Sequence, residues 1–212
     1  MAGRISIDLF TTLDGVAQAP GGPEEDTSSG FPYGGWQAPL MDETVGRLVG
    51  EGIEAMDALV LGRRTYDIFA GYWPQHAEGD GEGRIGRKFN EIPKYVASRG
   101  APTLDWPGTT QLGADAVAGV AALRDRHEDI HVIGSVGFVQ SLLAADAYDV
   151  LSLWVYPIVI GRGKKVFPDG AVPATLALLA PPIVSEKGAV LLRYGPAGPL
   201  RTGDMTTPDQ DV

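Results

Sequence analysis

The chain contains no cysteine. That removes disulfides, thiolate zinc sites, a Cys nucleophile and the C-x-x-C half of a zinc-deaminase signature at once. Long apolar runs are missing too. No segment approaches the roughly 18 consecutive apolar residues of a membrane span, and the start, MAGRISIDLF, lacks the apolar stretch of a signal peptide. A cytoplasmic protein with no membrane partner is expected. Basic residues are the minority, with 17 Lys and Arg against 27 Asp and Glu and a formal net charge of −10. That excess of acid disfavours nucleic acid or an anionic membrane as partner. It leaves room for a small anionic ligand, which needs only a local cluster of donors. Histidine is scarce: His76, His127 and His131 lie far apart at no ligand spacing, so no metal is expected.

What is present describes an ordinary globular chain. Its 212 residues are 44% hydrophobic and 21% charged, which suits one domain with a sizeable core. Residues 4–10 alternate and are β-branched, the pattern of a first strand. Short buried strands are expected at 58–61, 94–98, 109–112 and 130–133, and longer ones at 150–160, 176–186 and 189–194. Helical patterns occupy about 39–52, the stretch after Gly62, 115–127 and 138–143. Residues 17–39 and 74–88 are rich in Gly and polar residues and read as loops; a loop as long as the first is functional or mobile. The expected domain is 1–195, with a disordered polar tail over 196–212. Strands alternate with helices and then pair with one another. The pattern predicts an α/β fold: a mostly parallel sheet, helices on both faces and an antiparallel C-terminal edge.

Two places share one physical form, in which a buried strand runs through a Gly-containing turn into a helix. Helix N-termini present free N–H groups and a positive dipole end to an anion, and open α/β sheets bind ligands at the carboxyl ends of their strands. The first is Gly62-Arg63-Arg64-Thr65, which adds two guanidiniums and a hydroxyl. The second is Gly134-Ser135-Val136-Gly137, where glycine permits close backbone approach. Ser98-Arg99, after a third strand, offers another phosphate clamp. A glycine at such a turn is by itself more often a packing or cap residue, and an Arg pair opening a helix is usually solvated. Three such sites at consecutive strand ends together suggest a nucleotide lying across the sheet edge. The fingerprint G-x-G-x-x-G is not expected, so a standard dinucleotide Rossmann site is not supported.

The blocks TTLDGVA, DALVLGRRTYDIF, KYVASR, IHVIGSVGFVQSLL and YPIVIGRGKKVF, in that order, carry a resemblance. Together they resemble the reductases related to dihydrofolate reductase, in particular the C-terminal reductase domain of bifunctional riboflavin-biosynthesis proteins. The match runs over about residues 4–194. It implies a dihydrofolate-reductase-like sheet, NADPH as cofactor, a small planar substrate and a homodimer. It assigns the cofactor phosphates to Arg63 and Thr65, with Arg64 between them, and to the turn at Gly134, Ser135, Val136 and Gly137. It assigns the adenosine 2′-phosphate to Ser98 and Arg99. Val16 and Ala17 would line the nicotinamide, beside a mobile loop.

The resemblance is weaker at the substrate. Asp42 and Glu43 lie near the helix that carries an acid in dihydrofolate reductases, although their spacing to the GRRT block differs. They are candidate proton donors, or acids favoured by a helix dipole. GGWQAPLMDE stands where the riboflavin branch has a Ser/Thr-Gly segment followed by Arg, so the phosphorylated pyrimidine substrate is not implied. Asp14 before Gly15 is a turn residue or a substrate contact, and Trp36, with Phe31 and Tyr33, is an aromatic wall or a loop anchor. Lys164 and Lys165 suit a solvated turn or a contact to an anion. Trp154 and Tyr156 suit a core or a subunit interface. The expected activity is hydride transfer from NADPH to a C=N or C=O bond of a planar, pterin- or pyrimidine-like heterocycle. The alternative is a non-catalytic dimeric nucleotide-binding or interaction protein on the same fold.

Overall fold

The computed structural model describes residues 2–205, so part of the expected tail, 206–212, lies outside the described residues. Among the described residues, nine strands form one sheet: β1 (Arg4–Thr12), β2 (Ala58–Gly62), β3 (Lys94–Ala97), β4 (Thr109–Gln111), β5 (Asp129–Val132), β6 (Val150–Tyr156), β7 (Ala174–Leu178), β8 (Ile183–Val184) and β9 (Val190–Pro199). Their order is β4-β3-β2-β5-β1-β6-β9-β7, with β8 on β9. Pairs from β4 through β6 are parallel, and every pair that involves β9 is antiparallel. The chain places β5 between β1 and β2, so the carboxyl ends of these strands open side by side at one edge of the sheet.

Alternation along β1 sends Ile5, Ile7 and Leu9 to one face. There they meet α4 (Ala116–Leu123) and α5 (Val136–Ala144) through Val120, Leu123, Val139 and Leu142. The opposite face packs on α1 (Glu43–Ala55), α2 (Arg63–Tyr72) and α3 (Glu82–Glu91). β2 is buried throughout because both faces are covered, with Ala58 and Val60 in one cluster and Leu59 and Leu61 in the other. Trp154 and Tyr156 are 5% and 0% exposed and belong to this second face, so the subunit itself covers them.

Several boundaries differ from those expected. α3 lies partly within the stretch read as loop. Its Gly83 and Gly86 are buried, and a Cβ there would collide with the carbonyls of Glu78 and His76. These glycines allow close packing of the helix on the preceding segment, whereas composition alone suggests flexibility. The string Gly81-Glu82-Gly83-Arg84-Ile85-Gly86 spells G-x-G-x-x-G, but it opens α3 after a loop, away from any strand end. The strand expected over 176–186 is two short strands, β7 and β8, with Pro181 and Pro182 between them. β6 stops at Tyr156, before Pro157. β9 continues to Pro199, past the expected domain limit at 195.

Lys94 opens β3 and is fully buried. Its ammonium donates to the carbonyls of Phe89, Asn90 and Ile92 at 2.8, 3.1 and 2.9 Å, which satisfies the C-terminal end of α3. Burial pushes its pKa down to about 8.

Candidate functional site

β2 ends at Gly62 and α2 begins at the next residue; β5 ends at Val132 and α5 begins at Val136. The two turns touch. A Cβ on Gly62 would stand 2.6 Å from Ser135 Oγ, and one on Gly134 (φ +87°) would stand 2.9 Å from Thr65 Oγ1. Glycine at both positions lets the N-termini of two helices converge. Thr65 donates both its N–H and its hydroxyl to Ser135 Oγ at 3.2 Å, which joins the two turns.

Above them lies a cleft of about 520 Å³. One wall is Arg64, Thr65, Ile68, Ser135, Val136, Gly137 and Gln140. The other is built from the ends of β1 and β6 and the loops that follow them, and includes Ala17, Gln18, Ala19, Glu25, Asp26, Gly163, Lys164 and Lys165. Ser98 and Arg99 lie apart from it, in a shallow depression shared with Gln111, Leu112, Gly113 and Ala114. The register of β2 on β3 sets Gly62 opposite Ala97, so the chain leaves the sheet toward Arg63 and toward Ser98 from neighbouring strand ends. Arg63 itself pairs with Asp67 at 2.7 Å on the exposed side of α2.

The loop after β1 is knit by its own hydrogen bonds. Gln18 is 3% exposed; its amide donates to the carbonyls of Asp26 and Ser28 at 2.9 and 3.1 Å and accepts from Lys164 N at 3.1 Å. Trp36 donates its indole N–H to the Gln18 carbonyl at 2.8 Å and meets Tyr156 edge-on. It is therefore a loop anchor and does not line the cleft. Asp26, 9% exposed, accepts from Arg64 at 3.0 Å and from Lys164. Burial opposes its charge, but Lys164 and the two donors of Ser28 outweigh that and lower its pKa. Glu25 accepts from the N–H groups of Gly21 and Gly22 at 2.6 and 3.2 Å, and burial raises its pKa.

Four other expected site residues also lie outside the cleft. Asp42 is the N-cap of α1, accepting from Val45 N at 3.0 Å and Lys187 N at 2.9 Å; these bonds hold its pKa below the usual value. Glu43 sits beside it in the first turn, where the helix dipole favours an acid. Asp14 accepts from Thr12 Oγ1, Ile160 N and Gly161 N at 2.6, 3.1 and 2.7 Å. It closes the β1 turn onto the segment after β6, and those bonds outweigh burial and lower its pKa. Val16 is fully buried behind the wall, bridged to Lys165, and only Ala17 reaches the cleft. Among the cleft residues that the sequence did not single out, Gln18, Glu25 and Asp26 lie in the long loop. Their only signal was acid and amide in a stretch already rich in both.

The arrangement can take an elongated anion. Two helix N-termini and the side chains of Arg64 and Lys164 meet at one place, and Arg99 lines the second depression, at the end of the neighbouring strand β3. Among the described residues no helix is long and apolar enough to cross a membrane.

Comparisons with known proteins bear on the family and the fold. The model of the RibD C-terminal domain matches residues 4–181. An uncharacterized protein of Bacillus subtilis, YyaP, is 25% identical over 167 residues, covering 78% of this chain and 81% of its own. A putative riboflavin biosynthesis protein from Shewanella superposes with a TM-score of 0.66 at 18% identity, over 92% of this chain and 99% of its own. Dihydrofolate reductase from Enterococcus faecalis, solved with NADP(H), superposes with a TM-score of 0.55 at 18% identity, over 93% and 98% of the two chains. The sheet order and its antiparallel edge are those of a dihydrofolate-reductase-like fold.

Proposed function

The chain belongs to the RibD C-terminal domain family, an oxidoreductase family of the riboflavin and folate type, and from that membership we propose that it is an NADPH-dependent reductase of a small planar heterocycle. The observation that carries this reading is the convergence of the α2 and α5 N-termini, with Arg64 and Lys164, at the carboxyl ends of β2 and β5. A diphosphate fits there: Gly62 and Gly134 leave the backbone bare where a side chain would block it. Arg64, Thr65, Ser135, Val136 and Gly137 hold the diphosphate. Ser98 and Arg99 take the 2′-phosphate. Arg63 spans the two after giving up its exposed pair with Asp67, which costs at most about 1 kcal/mol. Ala17, supported from behind by Val16, lies at the nicotinamide end.

NADPH, when bound, supplies the hydride for a C=N or C=O bond. The protein orients the partners. Asp42 and Glu43 are committed to the start of α1, so the accompanying proton comes from water in the open cleft. Their absence from the cleft also favours a second reading, in which the chain binds a nucleotide without turnover. An NADPH-oxidation screen against dihydrofolate, pyrimidine and quinone-like acceptors decides between them. Reductase function predicts turnover of at least one heterocyclic acceptor. Cofactor binding with no turnover on any of them supports the second reading.

A further inference from the structure

The charges lining the main cleft cancel. Arg64, Lys164 and Lys165 stand against Glu25, Asp26 and Asp169. A cleft that receives a diphosphate would ordinarily carry net positive charge. Two of the three carboxylates belong to one short stretch of the loop after β1, and one of them, Asp26, is paired with both Arg64 and Lys164. Arg64 belongs to α2 and Lys164 to the segment after β6, so the Asp26 carboxylate ties the two walls together across the opening.

We propose that Asp26 is a built-in anion that holds Arg64 and Lys164 in place until a diphosphate-bearing ligand takes them, and that the loop segment 21–30 then lifts from the cleft. This deepens the reductase reading and rests on it for the identity of the natural ligand. Lifting the segment removes Glu25 and Asp26 together, and the lining changes from formally neutral to net positive as the anion enters. Burying a carboxylate is unfavourable unless it is paired. Once its two cations are taken, Asp26 gains by returning to water, so the exchange runs in one direction while ligand is bound. The Gln18 amide grips the carbonyls of Asp26 and Ser28, Arg162 reaches those of Ser29 and Gly30 at 3.4 Å, and Gly34 packs on the backbone of Gly22 and Pro23, so these are the contacts that the lifting segment exchanges.

The test uses inorganic pyrophosphate on the full chain. Asp26→Asn removes the competing charge and keeps the shape, so calorimetric titration should show about 10-fold tighter pyrophosphate binding than wild type. Equal or weaker binding by the variant overturns the proposal, as does failure of both proteins to bind. Hydrogen exchange on the wild-type protein needs no variant. Saturating pyrophosphate should speed exchange in the amides of residues 21–30; unchanged or slower exchange there contradicts the exchange of anions. Pyrophosphate has neither nicotinamide nor 2′-phosphate, so the two readings fail separately. Tighter binding by Asp26→Asn without any NADPH binding keeps the strap and removes the reductase. NADPH binding with unaltered pyrophosphate affinity in the variant does the reverse.

Discussion

His131 lies between two carboxylates on the sheet face that carries α1, its Nδ1 2.6 Å from Asp8 and its Nε2 3.3 Å from Asp129, with Arg4 bound to both oxygens of Asp129. Burial opposes the imidazolium and so does Arg4. The bond to Asp8, with the fields of Asp8 and Asp129, outweighs both, so the pKa lies above the ordinary 6.5. The folded state therefore keeps this proton to higher pH than the unfolded chain. Its contribution to stability is full below 6.5 and is lost as pH rises through the folded value. Melting of wild type and His131→Gln across pH 5.5–8.5 should show a wild-type advantage, about 1 kcal/mol or roughly 2–4 °C in a chain of this length, that shrinks as pH rises. A constant difference contradicts the ion-pair account. The residue scale is also where sequence was least legible. Arg63 and Arg64 are indistinguishable in a string, yet one faces Asp67 and the other Asp26. Asp14 and Asp42 are acids near strand and helix ends, and only the backbone N–H groups around them reveal that their charge is already committed.

At the scale of elements, glycine shows why composition misled. Gly46 in α1 has nothing within 4 Å of where a Cβ would stand, whereas Gly86 in α3 has the His76 carbonyl there. Gly46→Ala should stabilise by about 0.5–1 kcal/mol through backbone entropy and helix propensity. Gly86→Ala should instead destabilise by about 1–3 kcal/mol, because a carbonyl must move. Urea denaturation of both variants checks the pair; a Gly86→Ala protein as stable as Gly46→Ala contradicts close packing of α3. Helices with a continuous apolar stripe, such as α1, could be read directly from the pattern. α3 could not, because its closest-packed positions hold no side chain to register as apolar. The strands were legible for the opposite reason: β2 is a short, wholly apolar run bounded by turns, and β5 alternates, with Ile130 and Val132 as its apolar face.

At the largest scale, the ordered blocks predicted the sheet because they fall at the edge where its parallel strands end, and there strand ends, tight turns and helix starts constrain residue type. The net charge of −10 coexists with a basic seam because that seam is local: Arg63, Arg64, Arg99 and Lys164 lie along one edge of the sheet, while Asp26 masks two of them. The long loop, expected to be either functional or mobile, is tied at Gln18, Trp36 and Asp26. No composition rule distinguishes such a loop from a slack one, since its bonds run between residues up to 18 positions apart and to other elements. In the proposed reductase, this edge holds NADPH with its 2′-phosphate at Ser98 and Arg99. Calorimetric titration of wild type and Arg99→Ala with NADPH and NADH checks that placement. Micromolar-range NADPH binding is expected, weakened by about 10-fold or more in Arg99→Ala, with NADH affinity unchanged by the substitution. No NADPH binding by the wild-type protein, or equal loss for both cofactors in the variant, would contradict it.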